Sequence, residues 1–234
     1  MYGRYGYSFH YSDDLITLDI KKEGEIYRYT RTQGDETVEK TIISEKGKII
    51  INPVEPLNLP TVVSHHLEIE FEPIFIEPDG NKSIYLTFPI EIGIFLVAKK
   101  DIEVLDIFSF ESQKYSLYGS SSEGIITRWA RSSITSEAPQ IDPLKNGVLH
   151  LTILNQAHEW IKVSHVVLDG YAMKIYYDNT AAMEATMELL SPHTAETRFS
   201  TSSPDKGMKK SIEIYSTRNI PIVKRTYSME WGLV

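Results

Sequence analysis

Two short sets of side chains have the types and spacing for chemistry. His65-His66 is followed by Glu68 and Glu70. Side chains alternate along an extended chain, so His66, Glu68 and Glu70 would share one face of a strand. Imidazole and carboxylate groups converging in this way are ligands for a metal ion such as zinc or non-haem iron, and a metal-dependent enzyme would follow from them. His65 points to the opposite side, and the same three residues are also what a solvated strand face carries. The second set is Arg128, Trp129 and Arg131, read as a ligand-binding group. Arginine and tryptophan anchor recognition through bidentate hydrogen bonds, stacking and burial. Trp129 and Arg131 share a strand face and could hold an anionic or sugar ligand. The competing reading packs Trp129 in the core with Arg128 covering the edge.

Other clusters are weaker. His150, His158 and His165 fall on two segments that read as a hairpin around residues 155–158, which would set His150 and His158 at opposite ends. His158 and His165 would also face opposite sides of a regular strand. Tyr5, Tyr7, Phe9 and Tyr11 lie on alternate positions of one extended segment, as a buried aromatic face or an exposed platform. The sequence has no nucleophile elbow, zinc-protease helix motif, phosphate loop or dinucleotide fingerprint. No catalytic residue and no cofactor follow from it.

The elements that must position these residues are strands. Period-two alternation over Val62 to Glu72 puts Val63, His65, Leu67, Ile69 and Phe71 on one side and His66, Glu68, Glu70 and Glu72 on the other. Pro78-Asp79-Gly80-Asn81 is a turn signal that predicts a hairpin between residues 74–77 and 83–88. Pro89 to Ala98 is apolar on both faces apart from Glu91 and Gly93, which predicts a strand buried on both sides. Residues 25–51 read as an antiparallel meander with turns at Gln33-Gly34-Asp35 and Glu45 to Lys48, and Lys99-Lys100-Asp101 reads as a further turn. Asp169-Gly170 predicts another hairpin, returning through Tyr171 to Tyr177. Residues 179–190 have helix-forming composition, but Met183, Ala185, Met187 and Leu189 alternate with polar neighbours, which favours a strand. Residues 222–231 read as the last strand.

Bulk properties narrow the class. The chain has 234 residues, 41% of them hydrophobic and 24% charged, in keeping with a globular protein. Its formal net charge of -8 argues against a general nucleic-acid binder. Residues 1–118 carry 12 Lys and Arg against 20 Asp and Glu, whereas residues 119–234 carry 12 of each. The absence of cysteine removes disulfides, thiolate metal sites and cysteine nucleophiles, and fits a reducing cytosol. The longest apolar run, Phe88 to Ala98, is about half the roughly 20 residues of a membrane helix, so no membrane insertion is expected.

Three stretches, MYGRYGYSFHYSDD at the start, IYRYTR after the Lys-Lys-Glu-Gly turn, and YSMEWG near the end, resemble an uncharacterised archaeal protein family, the one catalogued as domain of unknown function 432. The resemblance implies an archaeal, cytosolic protein with no assigned activity, no catalytic residues to carry over and no cofactor.

Together these observations predict an all-β, predominantly antiparallel β-sandwich with two packed subdomains, 1–118 and 119–234, divided near Gly119 to Gly124. One continuous β domain, with that segment as a hairpin loop, is the alternative. The expected function is a non-enzymatic, cytoplasmic binding or interaction module, recognising a partner protein or small ligand. Its unpaired strand edges make a homodimer an expectation as well.

Overall fold

The computed structural model describes residues 1–44, 47–99, 101–217 and 226–233. In chain order the first strands are β1 (Gly3–Tyr5), β2 (Phe9–Ser12), β3 (Thr17–Glu23), β4 (Ile26–Gln33), β5 (Glu36–Ile42) and β6 (Lys48–Val54). There follow β7 (His66–Ile76), β8 (Asn81–Pro89), β9 (Glu91–Ala98), β10 (Asp101–Phe108), β11 (Tyr115–Tyr118) and β12 (Ile125–Arg131). The remaining strands are β13 (Asn146–Asn155), β14 (Ile161–Asp169), β15 (Tyr176–Tyr177), β16 (Ala181–Ser191), β17 (Thr194–Phe199), β18 (Lys209–Lys210) and β19 (Thr226–Met229). Among the described residues, helix is confined to a 3-10 turn at Gly170–Ala172 and to α1 (Ile214–Thr217). The protein is all-β and mostly antiparallel.

The chain forms two compact units, residues 1–52 with 93–107, and residues 53–92 with 108–234. The first contains the meander β2-β3-β4-β5, with Gly24 and Gly34 in the left-handed conformation at two of its turns. Leu18, Ile20 and Tyr29 form its buried face. Beneath it Asp106 accepts hydrogen bonds from Tyr29 Oη at 2.7 Å and Arg31 Nε at 2.8 Å, an ion pair almost closed to water.

The second unit holds the candidate sites. One sheet runs β11-β12-β7-β14; the other runs β18-β15-β16-β13-β8, with β17 on the far side of β16 and β19 beside β17. Strict alternation sorts their side chains: Leu67, Ile69 and Phe71 of β7, Leu149, Leu151 and Ile153 of β13, and Met183, Met187 and Leu189 of β16 are all buried. The segment 179–190 is therefore largely strand, its packing overriding helix propensity. The stretch Glu91 to Phe95 is buried without interruption, as its two-sided apolar pattern predicted.

Several expected neighbours are not neighbours. β7 and β8 do not pair across Pro78-Asp79-Gly80; they lie in different sheets, so the turn is an arch. Buried Asn155 holds that arch, its Nδ2 donating to Ile76 O at 3.1 Å and Glu77 O at 2.9 Å. β13 and β14 likewise belong to different sheets, and Asp169-Gly170 leads into the 3-10 turn rather than a hairpin. β12 with β7 and β13 with β16 pair in parallel, each spanning a long stretch of intervening chain. The aromatic start is not one strand: β1 and β2 sit in separate sheets, and buried Tyr7 packs between them in sequence against Tyr27, ring centroids 4.8 Å apart. Strand β6 continues through Pro53 to Val54. The segment Gly119 to Gly124 joins β11 to β12 as a hairpin connection inside the second unit, while the two compact units divide at 52/53, 92/93 and 107/108. Of the expected turns and final strand, Glu45-Lys46, Lys100 and residues 222–225 lie outside the described residues.

Candidate functional site

Strand β12 lies parallel to β7 with Trp129 opposite Glu68 and Arg131 opposite Glu70. This register brings the two sequence-predicted sets onto one sheet. The acidic face of β7 exists as expected, but its carboxylates are occupied. Glu68 accepts from Ser116 Oγ and from Thr127 Oγ1, the latter at 2.7 Å. Glu70 accepts the Trp129 indole N–H at 3.1 Å, and Glu72 accepts from Arg131 Nη2 at 3.1 Å. His66 stands apart at the start of the strand, its ring 3.9 Å from that of His65 and 4.6 Å from that of Tyr227. Among the described residues, no three His, Asp or Glu side chains come together so as to hold a metal ion.

Arg128, Trp129 and Arg131 line one cleft of about 580 Å³, together with Lys114, Lys145 and Glu111. Trp129 is half-buried, with its indole edge fixed by Glu70 and the Lys114 ammonium 5.8 Å from its ring centroid. Arg131 is exposed. Arg128 is only 3% exposed. Its Nη1 donates to Lys114 O at 3.0 Å and its Nη2 donates to Ser112 O at 3.5 Å, while its buried Nε has no hydrogen-bond partner among the described residues. Burial is the main cause that lowers its pKa. The carboxylates of Glu91 and Glu111 act in the opposite direction. Glu91 is itself enclosed, accepting the Asn58 and Leu59 backbone N–H groups, and burial pushes its carboxyl up to about 7.

The cleft lining thus gathers four cationic side chains and one acidic residue on a protein of net charge -8, with Arg131 paired to Glu72 and Lys145 to Asp142 at its margin. A field of that sign favours carboxylates, phosphates and other anions, and the arginines can bind them in bidentate fashion. Lys114 and Lys145 were not in the sequence-predicted set. Each sits outside the strand that carries the arginines, and only the tertiary fold brings them together. His165, opposite Glu70 in register, also gains a role that a face-by-face reading could not give it: it packs edge-on against Tyr118, with its buried Nε2 unpartnered. Burial lowers its pKa. His150 lies elsewhere, stacked on Tyr85 with ring centroids 4.7 Å apart.

The fold and the site define an all-β protein with a basic cleft at the end of a mixed sheet. The chain belongs to the family described as "Protein of unknown function (DUF432)", whose model matches residues 1–230. No curated protein and no solved structure matches it. Among the described residues no helix is long and apolar enough to cross a membrane.

Proposed function

We propose that the protein is a non-enzymatic binding module that takes a small anionic ligand, a carboxylate or phosphate compound, in the cleft lined by Arg128, Trp129 and Arg131. The observation that carries this reading is the buried guanidinium of Arg128, whose Nε has no partner. A buried donor of this kind is costly to leave unsatisfied, and an anion in the cleft would offset the charge of the guanidinium that carries it. Lys114, Lys145 and Arg131 add positive charge around it, and half-buried Trp129 supplies an apolar wall. The alternative, a metal-dependent enzyme on His66, Glu68 and Glu70, has less support, because both carboxylates already accept hydrogen bonds from Ser116, Thr127 and Trp129.

We further take the protein to be cytoplasmic and of archaeal origin. The absence of cysteine supports the location, and the resemblance noted above supports the origin. A net charge of -8 supports a partner other than nucleic acid, and membrane insertion is no part of this picture. A homodimer would use a sheet edge or an apolar face such as that of exposed Phe75 and Trp160.

Isothermal titration with inorganic phosphate and with succinate tests the ligand class. Arg131→Gln and Lys145→Gln change exposed or half-buried charges and should each weaken binding by about 3- to 10-fold. Arg128→Met should abolish it, with circular dichroism checking that the variant folds. Failure of both anions to bind at about 10 mM, or equal binding by wild type and the two glutamine variants, would overturn the proposal.

A further inference from the structure

A second cleft in the same unit has the opposite character. It encloses about 620 Å³, and His66, Asp169, Glu196, Tyr227, Glu230 and Trp231 contribute to its lining. Register explains the assembly: His66 of β7 lies opposite Asp169 of β14, and β19 runs antiparallel to β17, setting Ser228 beside Glu196. The chain leaving β19 then supplies Glu230 and Trp231. Trp231 packs edge-on against Tyr118 and directly over Gly119, where an added Cβ would lie 2.7 Å from the indole. Gly119 also has φ of 105°, so both space and backbone call for glycine there.

We propose that this cleft binds a small organic cation bearing several N–H donors, a primary ammonium or guanidinium compound.

His66 is the observation that points to a ligand. It is 8% exposed and lines the cleft, and among the described residues its ring meets those of His65 and Tyr227 and neither ring nitrogen has a hydrogen-bond partner. Burial pushes its pKa down to about 4, with His65 acting in the same direction. At neutral pH the ring is uncharged and carries one bare acceptor nitrogen. The carboxylates of Glu196 and Glu230 likewise make no hydrogen bond or ion pair among the described residues. Asp169 uses Oδ1 to accept the Tyr171 N–H at 2.9 Å, which leaves Oδ2 free of that bond. Carboxylates accept only, and the neutral imidazole adds another acceptor. Ammonium and guanidinium groups are donors only, so they complement such a lining, whereas a sugar hydroxyl must also find donors. Tyr227 and Trp231 add aromatic lining, which suits a cation better than an anion. A bare metal ion fits poorly, because no three of the acidic and histidine side chains converge on one point. A polyatomic cation can span carboxylates that are set apart.

Titration calorimetry of the full chain with spermidine, agmatine and N-acetyl-arginine amide tests this, with magnesium chloride as a competitor. Saturable one-to-one binding is expected, weakened about 3- to 10-fold by Glu196→Gln and again by Glu230→Gln. Lys82→Gln, which changes an exposed charge outside both clefts, should bind these cations as wild type does. Tighter binding of spermidine or agmatine would identify a free amine as the source of the cation. Tighter binding of the arginine amide would identify a protein side chain. No saturable heat at about 5 mM, unchanged affinity in the double glutamine variant, or displacement by equimolar magnesium would each overturn the proposal.

Discussion

Glu55→Gln should make the stability of this protein less sensitive to alkaline pH. Glu55 is 6% exposed, and its Oε1 accepts the Ile214 N–H at 3.1 Å. Burial pushes its carboxyl from 4.5 up to about 8, and the charge of nearby Glu91 acts in the same direction. The folded state therefore keeps a proton that the unfolded chain releases. Its contribution is whole below pH 4.5 and is lost as pH rises through about 8. At about 1.4 kcal/mol per pH unit that shift corresponds to an upper bound of about 5 kcal/mol, and relaxation around the charge reduces it to roughly 2–4 kcal/mol. Glutamine keeps the acceptor for Ile214 N–H and removes the titration. Urea unfolding of both proteins from pH 5 to 9 should show similar stability at the acid end. At pH 9 the variant should be more stable by about 2–4 kcal/mol. A shallower slope will persist in the variant, since Glu91 is raised to about 7 by burial as well. Parallel curves for the two proteins would refute the reasoning, because they would mean that Glu55 ionises in the folded state as freely as in the unfolded chain.

Three further substitutions probe the packing inside each unit. Asn155 is 2% exposed and its Nδ2 donates to three carbonyls, those of Ile76, Glu77 and Glu159. Asn155→Ala strands them beneath the arch and should cost about 2–4 kcal/mol in urea unfolding. In the first unit, Asp106→Ala removes the carboxylate from Arg31 Nε and Tyr29 Oη, while Glu36 still pairs with the Nη atoms of Arg31, and should cost about 1–3 kcal/mol. Asp106→Asn, which keeps an acceptor for Tyr29 Oη, should cost less than the alanine change in the same assay.

How much of this was legible in the sequence can be judged from particular residues. Leu67, Ile69 and Phe71 declared their buried face through period-two alternation, and so did Met183, Met187 and Leu189, because burial of one sheet face is imposed residue by residue. The run from Glu91 to Phe95 was readable for the same reason. Pairing was not. Turn chemistry at Pro78-Asp79-Gly80 and at Asp169-Gly170 shows where the chain bends, yet a bend can close a hairpin or pass to another sheet. Which of these occurs depends on partners far along the chain, such as β13 for β8 and β12 for β7.

The two candidate sites show the same division. The residue types at Arg128, Trp129 and Arg131 suggest a ligand-binding group, and those at His66, Glu68 and Glu70 suggest a metal site. What local sequence could not carry was the parallel register of β12 on β7, which ties Trp129 to Glu70 and Arg131 to Glu72. Nor could it foresee Lys114 and Lys145 beside the arginines, or His66 turned toward Tyr227 and Trp231. By itself the sequence determined the strand class, the alternation that sorts core from surface, and the net charge of -8. Alternation and composition are properties of neighbouring residues. The tertiary structure decided which charges are compensated and which stay unpaired, because that depends on contacts between residues distant in the chain.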